Sequence, residues 1–131
     1  MAESIHQEVT ISAAPAAVYA ALTEASRFAE VTAAPASMEA SPGGAFRFFN
    51  GMIEGRNVEL EPGRRIVQAW RAKTWPAGRY SLVTFALQPD RGGTKLVFDQ
   101  CGFPDDERAH LDGGWHKMYW EPLQRYLARQ A

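Results

Sequence analysis

Between Ser37 and Cys101 the chain is cut at short intervals by turn signals: SPGG at Ser41–Gly44, NG at Asn50–Gly51, EPGR at Glu61–Arg64 and PDRGG at Pro89–Gly93. Apolar-rich runs fill the gaps: Ala45–Phe49, Met52–Leu60, Arg65–Arg71, Tyr80–Leu87 and Thr94–Cys101. Trp75-Pro76 with Gly78 marks one longer bend. A parallel crossover consumes about a dozen residues or more, which these connections do not offer. Successive runs therefore read as antiparallel hairpins, and Asn-Gly supplies the positive φ that a tight hairpin turn demands. The middle of the chain is a meander of strands.

Helical and strand periodicities flank it. Ile5, Gln7, Val9 and Ile11 alternate with His6, Glu8 and Thr10, which is strand patterning with three of four residues apolar on one face. Pro15 suits a first helical turn, and Val18, Ala21, Leu22 and Ala25 form one helical stripe. A second short helix is expected around Arg27–Val31. After Pro104, the acidic run Asp105–Glu107 suits a helix start, by capping and by its charge against the dipole. Leu111, Trp115, Met118/Tyr119, Leu123 and Tyr126/Leu127 then recur at three- and four-residue steps. Two features disturb this last helix. Gly113 and Gly114 each cost roughly 1 kcal/mol against alanine, so a close approach or a bend is expected there. Pro122 removes a backbone hydrogen bond and should bend the helix locally. The order β-α-α-β-β-β-β-β-β-α predicts an α+β fold with Val18, Leu22, Phe85, Leu96 and Phe98 in its core. At 131 residues without internal repeats, a single domain over 1–131 is expected.

Charge and motifs exclude several functions. Fourteen basic side chains face fifteen acidic ones, for a net charge of −1, so no general attraction to nucleic acid exists. The most apolar stretch, Ala13–Leu22, is too short to span a bilayer, and the opening MAESIHQEVTI lacks signal-peptide character. With Cys101 as the lone cysteine, no disulfide framework is possible, and a cytoplasmic location is expected. Cys101 itself reads by default as a buried structural thiol. The sequence has no GxxxxGK[ST], GxGxxG or GxSxG motif. His110 and His116 are six apart, about 240° around a helix, and cannot share a ligand face. Strand alternation splits Arg64 from Arg65 across faces, so they form no basic patch. No catalytic residue, metal ligand or cofactor is predicted.

Aromatic loading is what remains. Phe46, Phe48, Phe49, Trp70, Trp75, Tyr80, Phe85, Phe98 and Phe103 lie on or beside the strands, with Trp115, Tyr119, Trp120 and Tyr126 on the last helix. Most of these rings are expected to fill a core. A curved sheet gripping a long helix also leaves room for an apolar cavity, the usual form of a small-molecule site. Trp115 and Tyr119 should then face the sheet together with Trp70, Phe85 and Phe98. The candidate ligand-binding set is Phe46, Phe48, Trp70, Phe85, Phe98, Trp115, Tyr119 and His116, and His116, Asp99, Gln68 and Arg47 are the candidate polar tips.

The opening VTISAAPAAVYAALTEASRF resembles the SRPBCC or START-like superfamily. PGGAF, the IVQAWR–WPAG segment and the helix start at Gly114–Trp115 resemble, more narrowly, the C-terminal domain of the activators of heat shock protein 90 ATPase. The resemblance runs from Val9 to Leu127. It implies a helix-grip fold, in which a strongly bent antiparallel sheet of six or seven strands wraps around a long C-terminal helix. The superfamily's habit of holding sterols, lipids, hormones and polyketides between sheet and helix implies a non-enzymatic domain binding a small apolar, aromatic or lipid-like ligand. The narrower branch implies, as the alternative, a co-chaperone-like interaction module acting on a heat shock protein 90 ATPase. A cyclase- or hydrolase-type enzyme using the same cavity is the second alternative. The eukaryotic activators carry a further N-terminal domain that supplies much of the chaperone binding. This chain begins directly at the helix-grip domain, so any stimulation is expected to be weak.

Overall fold

Alternation along β1 (Ser4–Ile11) is strict: Ile5, Gln7, Val9 and Ile11 are buried, and the residues between them are exposed. These observations come from a computed structural model that describes residues 4–130, so the ends of the expected unit, residues 1–3 and 131, lie outside the described residues. Two short helices follow, α1 (Pro15–Thr23), with Pro15 in its first turn, and α2 (Ala25–Thr32). Six more strands complete the sheet: β2 (Ser37–Met38), β3 (Ala45–Phe48), β4 (Ile53–Glu61), β5 (Arg65–Ala72), β6 (Ser81–Asp90) and β7 (Gly93–Cys101). A 3₁₀ turn at Asp105–Glu107 leads into α3 (Arg108–Trp115), then a π-helical turn (His116–Trp120), then α4 (Glu121–Gln130).

The seven strands form one antiparallel sheet in the order β1-β7-β6-β5-β4-β3-β2. Six of the strands run as the meander that the turn signals predict, and β1 closes the far edge against β7. The fold is α+β and helix-grip, with the helices on the inner face of the curved sheet. Val18, Leu22, Phe85, Leu96 and Phe98 are all buried in one hydrophobic cluster.

Among the described residues, the strand register shifts on β4. Val58 is bulged out of the ladder between Asn57 and Glu59, which increases local twist. Gly55 faces Phe46 on β3 and Trp70 on β5 across the sheet. A methyl group there would overlap the Ala69 carbonyl oxygen and stand 2.6 Å from Phe46 Cζ. The missing side chain lets three strands close on each other where two aromatic rings crowd the inner face.

Three local expectations are corrected. Cys101 is exposed, because the inward positions of β7 are Thr94, Leu96, Phe98 and Gln100, and parity sends 101 outward. Pro89 and Asp90 belong to β6, and the turn shrinks to Arg91–Gly92, with φ of 52° and 84° as a two-residue hairpin requires. The acidic residues of the 3₁₀ turn make no side-chain cap bond, so their contribution at the helix start is charge alone. On the outer face His6 Nδ1 lies 2.7 Å from Asp99 Oδ1, and the two carboxylates Asp99 and Glu8 hold the imidazole above its usual titration range.

Gly55→Ala is expected to lower stability by about 2 kcal/mol through overpacking, read as a drop in the urea midpoint at unchanged slope. An unchanged midpoint would mean that the strands do not close this tightly around residue 55.

Candidate functional site

Indole N–H groups attach the C-terminal helix to the sheet. Trp115 Nε1 donates to Gln100 Oε1 at 2.8 Å, Gln100 Nε2 donates to Ser81 Oγ at 3.0 Å, and Ser81 Oγ donates to the Trp70 carbonyl at 2.7 Å. Trp120 Nε1 donates to Gln7 Oε1 at 2.7 Å, and Gln7 Nε2 returns to the Asp112 carbonyl at 2.8 Å. Trp70 Nε1 donates to Tyr119 Oη at 3.2 Å. Gln7, Ser81 and Gln100 are therefore inward-facing polar residues with their hydrogen bonds accounted for.

The helix itself is not regular. In α-geometry, residues five apart diverge by about 140°, which would leave Trp115 and Trp120 on different faces. The π turn over His116–Trp120 closes with the Glu121 N–H on the His116 carbonyl, an i→i+5 bond. Trp115 and Trp120 consequently stack, with centroids 5.8 Å apart and planes at 23°. Pro122 supplies the cause: it cannot donate to the Met118 carbonyl, and its ring crowds that group, so the turn ahead of it widens. The expected bend is realised as this widened turn. Gly113 and Gly114 show no close approach, since a Cβ at either would meet nothing within 4 Å.

With Trp115, Tyr119 and Trp120 turned inward, the middle of the molecule fills with rings. Trp115 lies 4.2 Å from Phe98, 5.0 Å from Trp70 and 4.4 Å from Tyr119 between centroids. Space remains at the head of the helix, as a groove of about 230 Å³. One wall is the β3–β4 hairpin with Phe49, Met52 and Ile53, the floor is Trp70, Ala72 and Thr74, and the other wall runs from Glu107 through Gly114 to Met118 and Tyr119. Met52 and Met118 stand on the rim, 45% and 46% exposed. Phe49 is held at φ 53°, a conformation disfavoured for a bulky side chain, while its ring packs 5.8 Å from Tyr119 and 6.0 Å from Phe28. Burial pushes the Tyr119 hydroxyl far above the usual phenol range, partly opposed by the hydrogen bond from Trp70, so it stays protonated. Glu107 and His110 bring the other ionisable side chains of the lining.

The sequence-predicted residues divide. Trp70, Trp115 and Tyr119 line the groove, and Phe85 and Phe98 pack behind them. Phe46 and Phe48 stack on each other at 4.8 Å within the core and do not reach the groove. His116 is exposed and outside it, and the histidine at the mouth is His110. Of the other polar tips, Asp99 pairs with His6 outside, Arg47 is exposed on β3, and Gln68 is buried with Nε2 on Asn57 Oδ1 and Oε1 unpartnered. Sequence reasoning did not assign Phe49, Met52, Met118 or His110 to the site, and it took the Gly113–Gly114 pair only as a loosening of the helix beside it. Only the spacing of Met118 beside Tyr119 pointed that way.

A family model described as activator of Hsp90 ATPase homolog 1-like protein matches residues 12–128. The chain belongs to this family. The human activator of 90 kDa heat shock protein ATPase homolog 1 is 31% identical over 116 residues, which are 88% of this chain and 34% of that protein. Homolog 2 of Mus musculus is 35% identical over 97 residues, 74% of this chain and 29% of the relative. This family member thus spans about a third of the length of the curated relatives it matches. Among solved structures, an HSP90 activator from Plasmodium falciparum superposes with a TM-score of 0.87 at 23% identity, covering 95% of this chain and 96% of that one. CalU16 from Micromonospora echinospora gives 0.82 at 22% identity, covering 98% and 78%. At those identities the likeness is one of fold.

The open space around Gly113 makes a direct forecast. Gly113→Ala should raise stability by about 1 kcal/mol through helix propensity, and its melting temperature by about 4 °C. A fall would mean that the glycine serves a packing role after all.

Proposed function

We propose that this chain acts as one unit, a non-enzymatic binding domain that engages a heat shock protein 90 chaperone and raises its ATP turnover. The observation that carries this reading is the family match across residues 12–128, joined by relatives named as activators of that ATPase. The groove supports binding over catalysis: its walls are apolar and aromatic, with Thr74, Glu107 and His110 as isolated polar tips. Titration of the domain into its cognate heat shock protein 90 should give a micromolar dissociation constant, about −8 kcal/mol, with a rise in ATP hydrolysis that saturates along the same curve. Absence of binding at hundreds of micromolar would overturn the co-chaperone reading.

The groove favours a second reading, a small apolar molecule held at the head of the helix. Its volume of about 230 Å³ exceeds the roughly 150 Å³ in which a buried apolar cavity holds benzene. Strain at Phe49 adds support, because disfavoured backbone at a rim is a common companion of ligand clamps. A thermal-shift panel of flat aromatics, sterols and fatty acids tests it. A ligand at a hundredfold excess over its dissociation constant should add about 2.7 kcal/mol of stability, and no shift from any class would discard the reading.

A further inference from the structure

We propose that the groove selects a neutral, planar apolar molecule carrying one hydrogen-bond acceptor, a carbonyl above all, which accepts a hydrogen bond from the Tyr119 hydroxyl. The inference rests on the small-ligand reading of the groove and names the class of ligand. Tyr119 Oη already accepts the Trp70 Nε1 proton at 3.2 Å. A phenol is also a donor, and among the described residues nothing accepts the Tyr119 proton. The neighbours of its ring are other rings, with Phe28, Phe49, Trp115 and Trp120 at 5.4, 5.8, 4.4 and 5.9 Å between centroids. A buried hydroxyl with an unspent donor is costly, and a partner reaching it gains accordingly. Tyr119 is only 4% exposed, yet both it and Trp70 line the groove, which is the route by which an acceptor arrives.

The remaining walls define the rest of the ligand. Phe49, Trp70 and Trp115 present rings, and the rim methionines present thioethers, both of which favour flat aromatic partners. The volume, set against a cavity that fits benzene, accommodates two fused rings. The lining supplies no arginine or lysine to pair with a carboxylate, only Glu107 and His110, so a charged ligand loses hydration there without an ion-pair partner in the lining.

Three naphthalenes of similar size test this on the full chain by tryptophan fluorescence titration: 2-acetylnaphthalene, 2-ethylnaphthalene and 2-naphthoate. The wild type should bind the ketone about tenfold more tightly than the ethyl compound, and the carboxylate more weakly than both. Tyr119→Phe should bring the affinities for the ketone and the ethyl compound to the same value. Because that variant also deprives Trp70 Nε1 of its acceptor and can fail to fold, the carbonyl band of bound 2-acetylnaphthalene in the wild type gives an independent readout. It should lie below its position in hexane. Equal affinities for ketone and ethyl compound, a margin that survives in Tyr119→Phe, or a carbonyl band at the hexane position would overturn the inference while leaving the groove as a ligand site. Failure of all three compounds to bind would sink the small-ligand reading beneath it.

Discussion

Three indole N–H groups fix the C-terminal helix on the sheet, and the site depends on where they put it. Apolar contact alone is non-directional, so a ring-rich helix on a ring-rich sheet has many rotations of similar energy. Trp115 on Gln100, Trp120 on Gln7 and Trp70 on Tyr119 select one of them. Gln7 is the most constrained partner, since it accepts from Trp120 and donates back to Asp112 eight positions earlier on the same helix. Losing one of these side chains strands a buried polar group at a cost of about 1–3 kcal/mol. That asymmetry explains why glutamines occupy inward positions that alternation alone would give to valine or leucine.

The π turn makes this attachment possible. Without the extra residue in the turn, Trp120 would point well away from Trp115 and could not reach Gln7 while Trp115 reached Gln100. Pro122 therefore acts at a distance from the groove: by widening the turn it loads the centre of the grip with rings and closes it. What volume is left collects at the head of the helix, where the wall residue is Gly114. A glycine there contributes neither close packing nor a bend. Its missing side chain is part of the groove.

The meander, the two flanking helices and the inward set of β1 were all legible, because turn chemistry and period-two burial are local properties. Parity counted from Phe98 would also have placed Cys101 outside. The default for a lone cysteine hid that. The π turn was not legible, since a 3.6-residue period assigns Tyr119 to the buried stripe and leaves Trp120 beside it unassigned. The choice between His110 and His116 shows the same limit. Six residues apart on a helix, only one of them can face the mouth, and the answer depends on a rotation set by indole bonds that tie the helix to three different strands. Phe49 and Met52 were left out of the predicted site because their place in it depends on how the β3–β4 hairpin sits over the helix. The close packing at Gly55 and the bulge at Val58 accompany that placement, and both are pairings across strands that no short window of residues displays.

Stability is distributed unevenly along the helix, and the distribution matches the placement of the groove. The far end is tied down: Gln124 donates to the Thr10 carbonyl at 2.9 Å, Tyr126 donates to Glu30 at 3.1 Å, and Leu123 and Leu127 are buried. The groove end carries a 3₁₀ start with no side-chain cap, two consecutive glycines and a facing hairpin with Phe49, Asn50 and Gly51 all at positive φ. The uncapped start, the glycine pair and the bulky Phe49 at positive φ each weaken local structure relative to an idealised helix and turn. Binding loops are drawn from the low-stability end of a fold because a surface that must admit a partner cannot also be the most tightly packed. Here the same helix supplies both ends. The indole bonds and the far end together hold the register, and the uncapped start, the glycine pair and the facing hairpin are the least braced walls of the groove.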